Sequence, residues 1–271
     1  MRATRYAAAM DTKTRNIVIG AVIVVLVLVL GYFAWKERTN TTAPASMAST
    51  TSSVASSTEA TSTSAYTIKQ VPLSAAPATP DYRTPLVCVE NVSADNCALF
   101  KQQAATYASQ ITANTVDPYA WVNLGTVREE AGDYSGALAA WQYVARLYPS
   151  VPTAFDNIAD LYATYLKDYP KAESNWQTAI KVYPGDPAPY ANLFNLYTTT
   201  SYVPSATAAV DILKQGIAAN PKAVNLQVLL ARYYKAHSDT AGASAEYAAA
   251  IANAQAQGQT TLATELQQES K

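Results

Sequence analysis

The chain has 271 residues with 19 basic and 20 acidic side chains, so its charges nearly cancel and nothing in the totals suggests a nucleic-acid partner. One histidine and two cysteines leave little material for metal or nucleophilic chemistry, which argues against a typical metalloenzyme. Abundant alanine and 19 tyrosines suit packed helices.

Residues 1–16 form a short tail in which Arg2, Arg5, Lys13 and Arg15 outweigh Asp11. Residues 17–35, IVIGAVIVVLVLVLGYFAW, are uncharged and almost wholly apolar. As a helix they would cover about 28 Å, close to the hydrocarbon thickness of a bilayer. Tyr32 and Trp35 lie at the far end, where amphipathic rings suit the interface. The basic flank is the N-terminal one, so the positive-inside rule places the N-terminus in the cytoplasm and the rest outside it. A cleavable signal peptide is the competing reading. Its apolar core would be shorter, and the nearest small-residue motif, Ala43 to Ala45, lies well beyond the run. The sequence thus predicts a single-pass protein of the cell membrane, anchored through residues 17–35.

Residues 36–94 read as a linker. The stretch to residue 65 is nearly all Thr, Ser and Ala and cannot bury enough apolar surface to offset its ordering entropy. Pro72, Pro77, Pro80 and Pro85 then favour extended backbone. Asn40-Thr41-Thr42 and Asn91-Val92-Ser93 match the N-glycosylation pattern, which matters only in a host with that machinery. Cys88 and Cys97 suit a disulfide in an extracytoplasmic compartment, the alternative being two buried thiols.

Beyond residue 95 the chain is periodic. Prolines recur at Pro118, Pro152 and Pro187, and again at Pro149, Pro184 and Pro221, 34–37 residues apart. Asp117-Pro118 and Asp186-Pro187 look like a cap followed by proline in the first helical turn, and Gly132-Asp133 divides the first unit into two helices. In that unit Trp121, Leu124, Gly125 and Arg128 share one side of the first helix, and Ala137, Trp141 and Val144 one side of the second. Gly125 and Ala137 are small enough for the helices to approach closely, with large side chains filling the space around them.

These residues resemble the tetratricopeptide repeat (TPR), W-x2-L-G-x2-Y, then A-x3-F, then P. The first unit matches through Trp121, Leu124, Gly125, Ala137, Trp141 and Pro149, with Arg128 in place of the usual tyrosine. The second keeps Phe155, Ile158, Ala159, Tyr162, Ala172, Trp176, Ala179 and Pro184, with one residue inserted in its turn. The third fits through Tyr190, Leu193, Tyr197, Ala209, Leu213, Gly216 and Pro221 after a three-residue insertion, but bulky Phe194 occupies the small site. The fourth recovers the spacing with Leu230, Ala231, Tyr234, Ala243, Tyr247 and Ala250. The resemblance implies an all-α, right-handed superhelical solenoid. It divides 95–271 into a capping helix at 95–113, repeats at about 118–151, 152–186, 187–223 and 224–257, and a closing helix near 259–269 with Leu262 and Leu266.

In such a stack the first-helix residues not spent on the core line a concave groove. Asn123, Asn157 and Asn192 recur at 34 and 35 residues. An amide offers a donor and an acceptor together and can grip a peptide backbone without demanding a sequence. Thr126, Asp160, Asn195 and Arg232 lie one helical turn further along, with Glu129, Asp156 and Lys235 adding charge at the edges. A solvated polar face with no ligand is the competing reading. Chaperone-type carboxylate clamps need lysine and asparagine where this chain has Val122 and Thr126.

No phosphate loop, nucleophile elbow or metal motif occurs, and His237 stands alone near a turn. The sequence therefore implies no cofactor, no metal and no catalysis. Residues 66–271 carry 13 basic and 17 acidic side chains, which disfavours nucleic acid or anionic lipid as the main partner. The expectation is a membrane-tethered extracytoplasmic scaffold that binds a protein or peptide in its groove. The alternatives are an adaptor of a secretion, pilus or cell-wall complex acting through its convex face, and an enzyme with an unrecognised site.

Overall fold

The computed structural model describes residues 69–72, 76–202, 204–205 and 207–271. The expected anchor at 17–35, the tail before it and the Ser/Thr/Ala-rich part of the linker lie outside the described residues. Among the described residues no helix is long and apolar enough to cross a membrane.

The described chain is helical. A first helix, α1 (Ala94–Ala113), is followed by four antiparallel pairs: α2 (Pro118–Glu130) with α3 (Tyr134–Leu147), α4 (Pro152–Leu161) with α5 (Tyr169–Val182), α6 (Ala188–Thr199) with α7 (Ala208–Ala219), and α8 (Val224–Ala236) with α9 (Thr240–Ala256). A last helix, α10 (Thr260–Glu269), closes the series. Consecutive helices pack on one another along the whole length, a TPR-like arrangement.

Local chemistry starts and stops these helices. The Asp117 carboxylate accepts from the N–H groups of Tyr119 and Ala120 at the start of α2. Asp186 accepts from Ala188 N–H, and α6 begins there, one residue later than the Asp-Pro signal implies. Three of the four second helices share a capping device that the sequence analysis did not identify. Asp133, Asp168 and Asp239 each accept the N–H three residues on, from Gly136, Lys171 and Gly242. Thr207 before α7 makes no such bond.

The residue inserted in the second unit is absorbed by a π-helical turn at Tyr162–Leu166, which ends on Lys167 in the left-handed region at φ 53°. The longer connection between α6 and α7 is pinned to α5, because Glu173 accepts from the hydroxyls of both Tyr197 and Tyr202. That carboxylate raises the Tyr202 phenol to about 12, while burial first and the carboxylate second raise Tyr197.

Close approach and volume exchange organise the core. A Cβ on Gly125 would fall 2.3 Å from the Trp141 ring nitrogen, so only glycine lets α2 meet α3 here. In the third unit Phe194 takes the small site and Leu213 the aromatic one, and both are buried. The bulk has moved from one helix to its partner, and Phe194 also meets Tyr233 edge-on at 5.8 Å.

The last part of the expected linker behaves differently from a tether. Residues 69–72 and 76–93 run as an extended strap over the first helix pair. Val71 N–H donates to Leu147 O at 2.9 Å and Val89 N–H to Ala131 O at 3.0 Å. Tyr82 and Leu86 are buried with the first repeat, Tyr82 edge-on to Trp121 at 5.4 Å. Val89 fills the space where a Cβ of Gly132 would stand, and that glycine turns the chain at φ +85°. Those apolar side chains are what distinguish this segment from the Ser/Thr tract before it. Cys88 and Cys97 are disulfide-bonded, joining the strap to α1 with their Cα atoms 5.9 Å apart.

Arg128, which replaces the usual repeat tyrosine, holds the strap in place. It is only 5% exposed, pairs with Asp133 and donates to Thr84 O at 3.1 Å. Burial alone would raise Asp133, but the Gly136 N–H and the Arg128 guanidinium outweigh it and hold the carboxyl low.

Candidate peptide-binding groove

The candidate groove residues sit on the first helix of each pair. Asn123 on α2 and Asn195 on α6 are exposed, Asn157 on α4 and Asn192 on α6 half-buried. No hydrogen bond engages the side chains of Asn123, Asn157 or Asn195 among the described residues, so their amides remain available. Thr126 is already spent on its own helix, donating to Val122 O at 3.2 Å.

Asp160 and Asn192 are brought together across the second and third pairs, Asn192 Nδ2 donating to Asp160 Oδ1 at 3.3 Å. Both line a cavity of about 420 Å³ with Lys167, Tyr169, Trp176 and Asn195. The spacing of 32 residues between the bonded pair is shorter than one repeat, so the asparagine row alone did not reveal this bridge.

Arg232 differs from the expectation of a free groove cation. It makes a bidentate pair with Glu269 of α10, Nε to Oε1 at 2.7 Å and Nη2 to Oε2 at 2.8 Å. Tyr247 donates to the same carboxylate at 2.8 Å, and Lys235 donates to the Glu269 carbonyl. These bonds, Arg232 first, pull the Glu269 carboxyl down to about 2. A closing helix was legible in the sequence; its reach back to α8 was not, because the ion pair spans 37 residues.

The centre of the groove is acidic. Burial, and then the neighbouring Asp186 and Asp160, push half-buried Asp156 up to about 7. Asp160 rises to about 6 through burial among the surrounding helices, while its rim stays open to solvent and the nearby Trp176 N–H opposes the shift. Glu129 on α2 rises too, by burial and then by repulsion from Asp160 and Glu130. Carboxylates from three consecutive units therefore sense one another.

Trp176 is the residue that sequence reasoning assigned to packing alone. In the first pair the equivalent Trp141 indole N–H donates to Val122 O at 3.0 Å. In the second pair the Trp176 N–H has no hydrogen-bond partner, and one oxygen of Asp156 is likewise buried and unpartnered. The group it does act on is Asp160, whose carboxyl it draws down against burial.

Among the described residues no group of three or more His, Cys, Asp or Glu side chains could hold a metal ion. His237 is exposed at the end of α8 and stacks on Tyr233 at 4.0 Å.

No family model matches the sequence, and no curated protein matches it either. Solved structures with a similar course of the chain include MamA, at 14% identity and TM-score 0.47, covering 57% of this chain and 88% of that one. YrrB, described as a TPR protein with an unusual peptide-binding site, is 14% identical with a TM-score of 0.43, covering 60% of this chain and 90% of its own. The Cut9 and Hcn1 complex gives 16% identity and a TM-score of 0.34, covering 64% and 40%.

Proposed function

We propose that the chain is a non-catalytic scaffold, tethered to the cell membrane through residues 17–35, whose helix pairs bind a protein or an extended peptide outside the cytoplasm. The observation that carries the binding half is the cavity between the second and third pairs. There Asn192 and Asp160 bridge two repeats, and the amide of Asn195 remains unspent. The anchor rests on the uncharged run at 17–35 and its basic N-terminal flank.

In-membrane crosslinking with the full chain as bait tests the first half. Asn157→Ala with Asn192→Ala should abolish the crosslinked partner while the protein stays folded by circular dichroism. Retention of the partner would move the binding surface to the convex side. For the second half, the protein should resist alkaline extraction from membranes and be digested by protease added from outside the cytoplasmic membrane. Release into the soluble fraction would remove the tether from the reading.

A further inference from the structure

We infer that the strap is a tension-sensitive slack in the tether, and that the Cys88–Cys97 bond is the stop at its end. A pull arriving from the N-terminal side peels the strap off the first helix pair as far as Cys88 and no further. This takes the source of the pull from the tether reading above and is independent of the groove.

The order of the contacts along the chain points to peeling. From the N-terminal side, Lys69 N–H donates to Ser150 Oγ at 2.7 Å, Val71 N–H to Leu147 O, and the Tyr148 hydroxyl to Gln70. Next come Tyr82 against Trp121, Arg128 donating to Thr84 O, and buried Leu86. These hydrogen-bond and ring partners all belong to the first pair or the turn after it. A pull at residue 69 therefore loads the contacts one after another, and each is a small local opening. The helix pair has no such weak end. Trp121, Leu124, Val144 and Leu147 are all buried in one core and have to be broken together.

The covalent bond ends the sequence of openings. Load that reaches Cys88 crosses to Cys97 in α1 and bypasses the residues between them. The bond from Val89 N–H to Ala131 O, the packing of Val89 on Gly132 and the Ser93 cap of α1 bear none of it. Beyond the stop, α1 is held to the first pair through buried Ala104 and Ile111. The helix pairs stay in place while the tether lengthens. When the pull ends, Tyr82 and Leu86 draw the strap back by leaving water for the same apolar surface.

The test is an optical-tweezers measurement on the full chain in detergent micelles. One handle is clicked to Tyr66→azidophenylalanine and the other is ligated to the C-terminus, so neither cysteine is disturbed. The expected record shows a reversible opening at low force before any larger step. Residues 69–87 at about 3.4 Å each limit that opening to roughly 65 Å. A dithiol reductant frees the 9-residue separation that the bond closes, and should lengthen the same opening by roughly 30 Å. Tyr82→Ala with Leu86→Ala should open the strap at least about tenfold faster at the same force, or remove the step, with the larger steps unchanged. A first step that already unfolds helix pairs, one whose length the reductant leaves unchanged, or one indifferent to the double variant would overturn the inference. The micelle-borne measurement does not depend on where the chain resides, so alkaline extraction still decides the tether reading separately.

Discussion

At the scale of single residues, Asp156 couples the candidate site to stability. Its ordinary value is 3.8, and in the folded chain it is raised to about 7. Between those values the folded state holds a proton that the unfolded state has lost, so stability falls as pH rises through this window. Above about 7 the penalty is complete, and below 3.8 it vanishes. Asp160 adds to the same slope up to about pH 6. Glu269 works in the opposite sense. Its carboxyl is held at about 2, so the stability it contributes is lost only as pH falls from its ordinary 4.5 toward that value. Asp156→Asn should therefore stabilise the protein at pH 8 by about 1–2 kcal/mol and leave it nearly unchanged at pH 4. Urea melts at the two pH values measure this; an equal shift at both would mean that packing and not the proton is responsible. If function needs the carboxylate, the stabilised variant should also lose its partner, the usual sign of a site kept at the expense of the fold.

At the scale of elements, the four helix pairs were readable because each repeats a volume rule every 34–37 residues. Gly125 beneath Trp141 is its clearest instance. What resisted reading were contacts without a period. Arg128 looked like a mismatch to the repeat, yet it is the buried clamp of a strap whose Thr84 carbonyl lies 44 residues earlier. Arg232 kept its place in the register, but Glu269 claims it. The strap itself was hidden by its prolines, which bias backbone toward extension without saying whether Tyr82 and Leu86 find a surface. The Trp176 N–H was equally silent, since the sequence of the second pair matches the first at that position and only geometry separates a satisfied donor from an orphan. The third pair makes the volume rule testable. Phe194→Gly alone should remove a buried ring and cost about 3–5 kcal/mol. Leu213→Trp alone should overfill the same space, at about 1–3 kcal/mol. Together they restore the arrangement of the first pair, so the double variant should be more stable than the sum of the singles by at least about 1 kcal/mol. Simple additivity in denaturant melts would show that the two sites do not share one space.

At the scale of the whole described chain, the stack of helix pairs is closed by unlike devices at its two ends. At the far end α10 covers α9 with Ala263 and Leu266 and sends Glu269 back to Arg232. At the near end the strap does the equivalent work, buried through Tyr82 and Leu86 and stapled to α1 by Cys88–Cys97. Since each pair touches mainly its neighbours, damage at one end should stay local. The bond between Cys88 and Cys97 closes a loop of only 9 residues, for which the chain-entropy model gives about 2–3 kcal/mol. Cys88→Ser with Cys97→Ser should therefore lower the stability of the near end by an amount of this order. Hydrogen exchange should quicken at Val71 and Val89, whose N–H groups bond the first repeat, and at Ala131 and Gly132 beneath the strap. Trypsin should then cut after Arg83, which is exposed but lies in the middle of the docked segment. Exchange in α8 and α9 should not change. If the far end loosened as well, the repeats would form one cooperative unit.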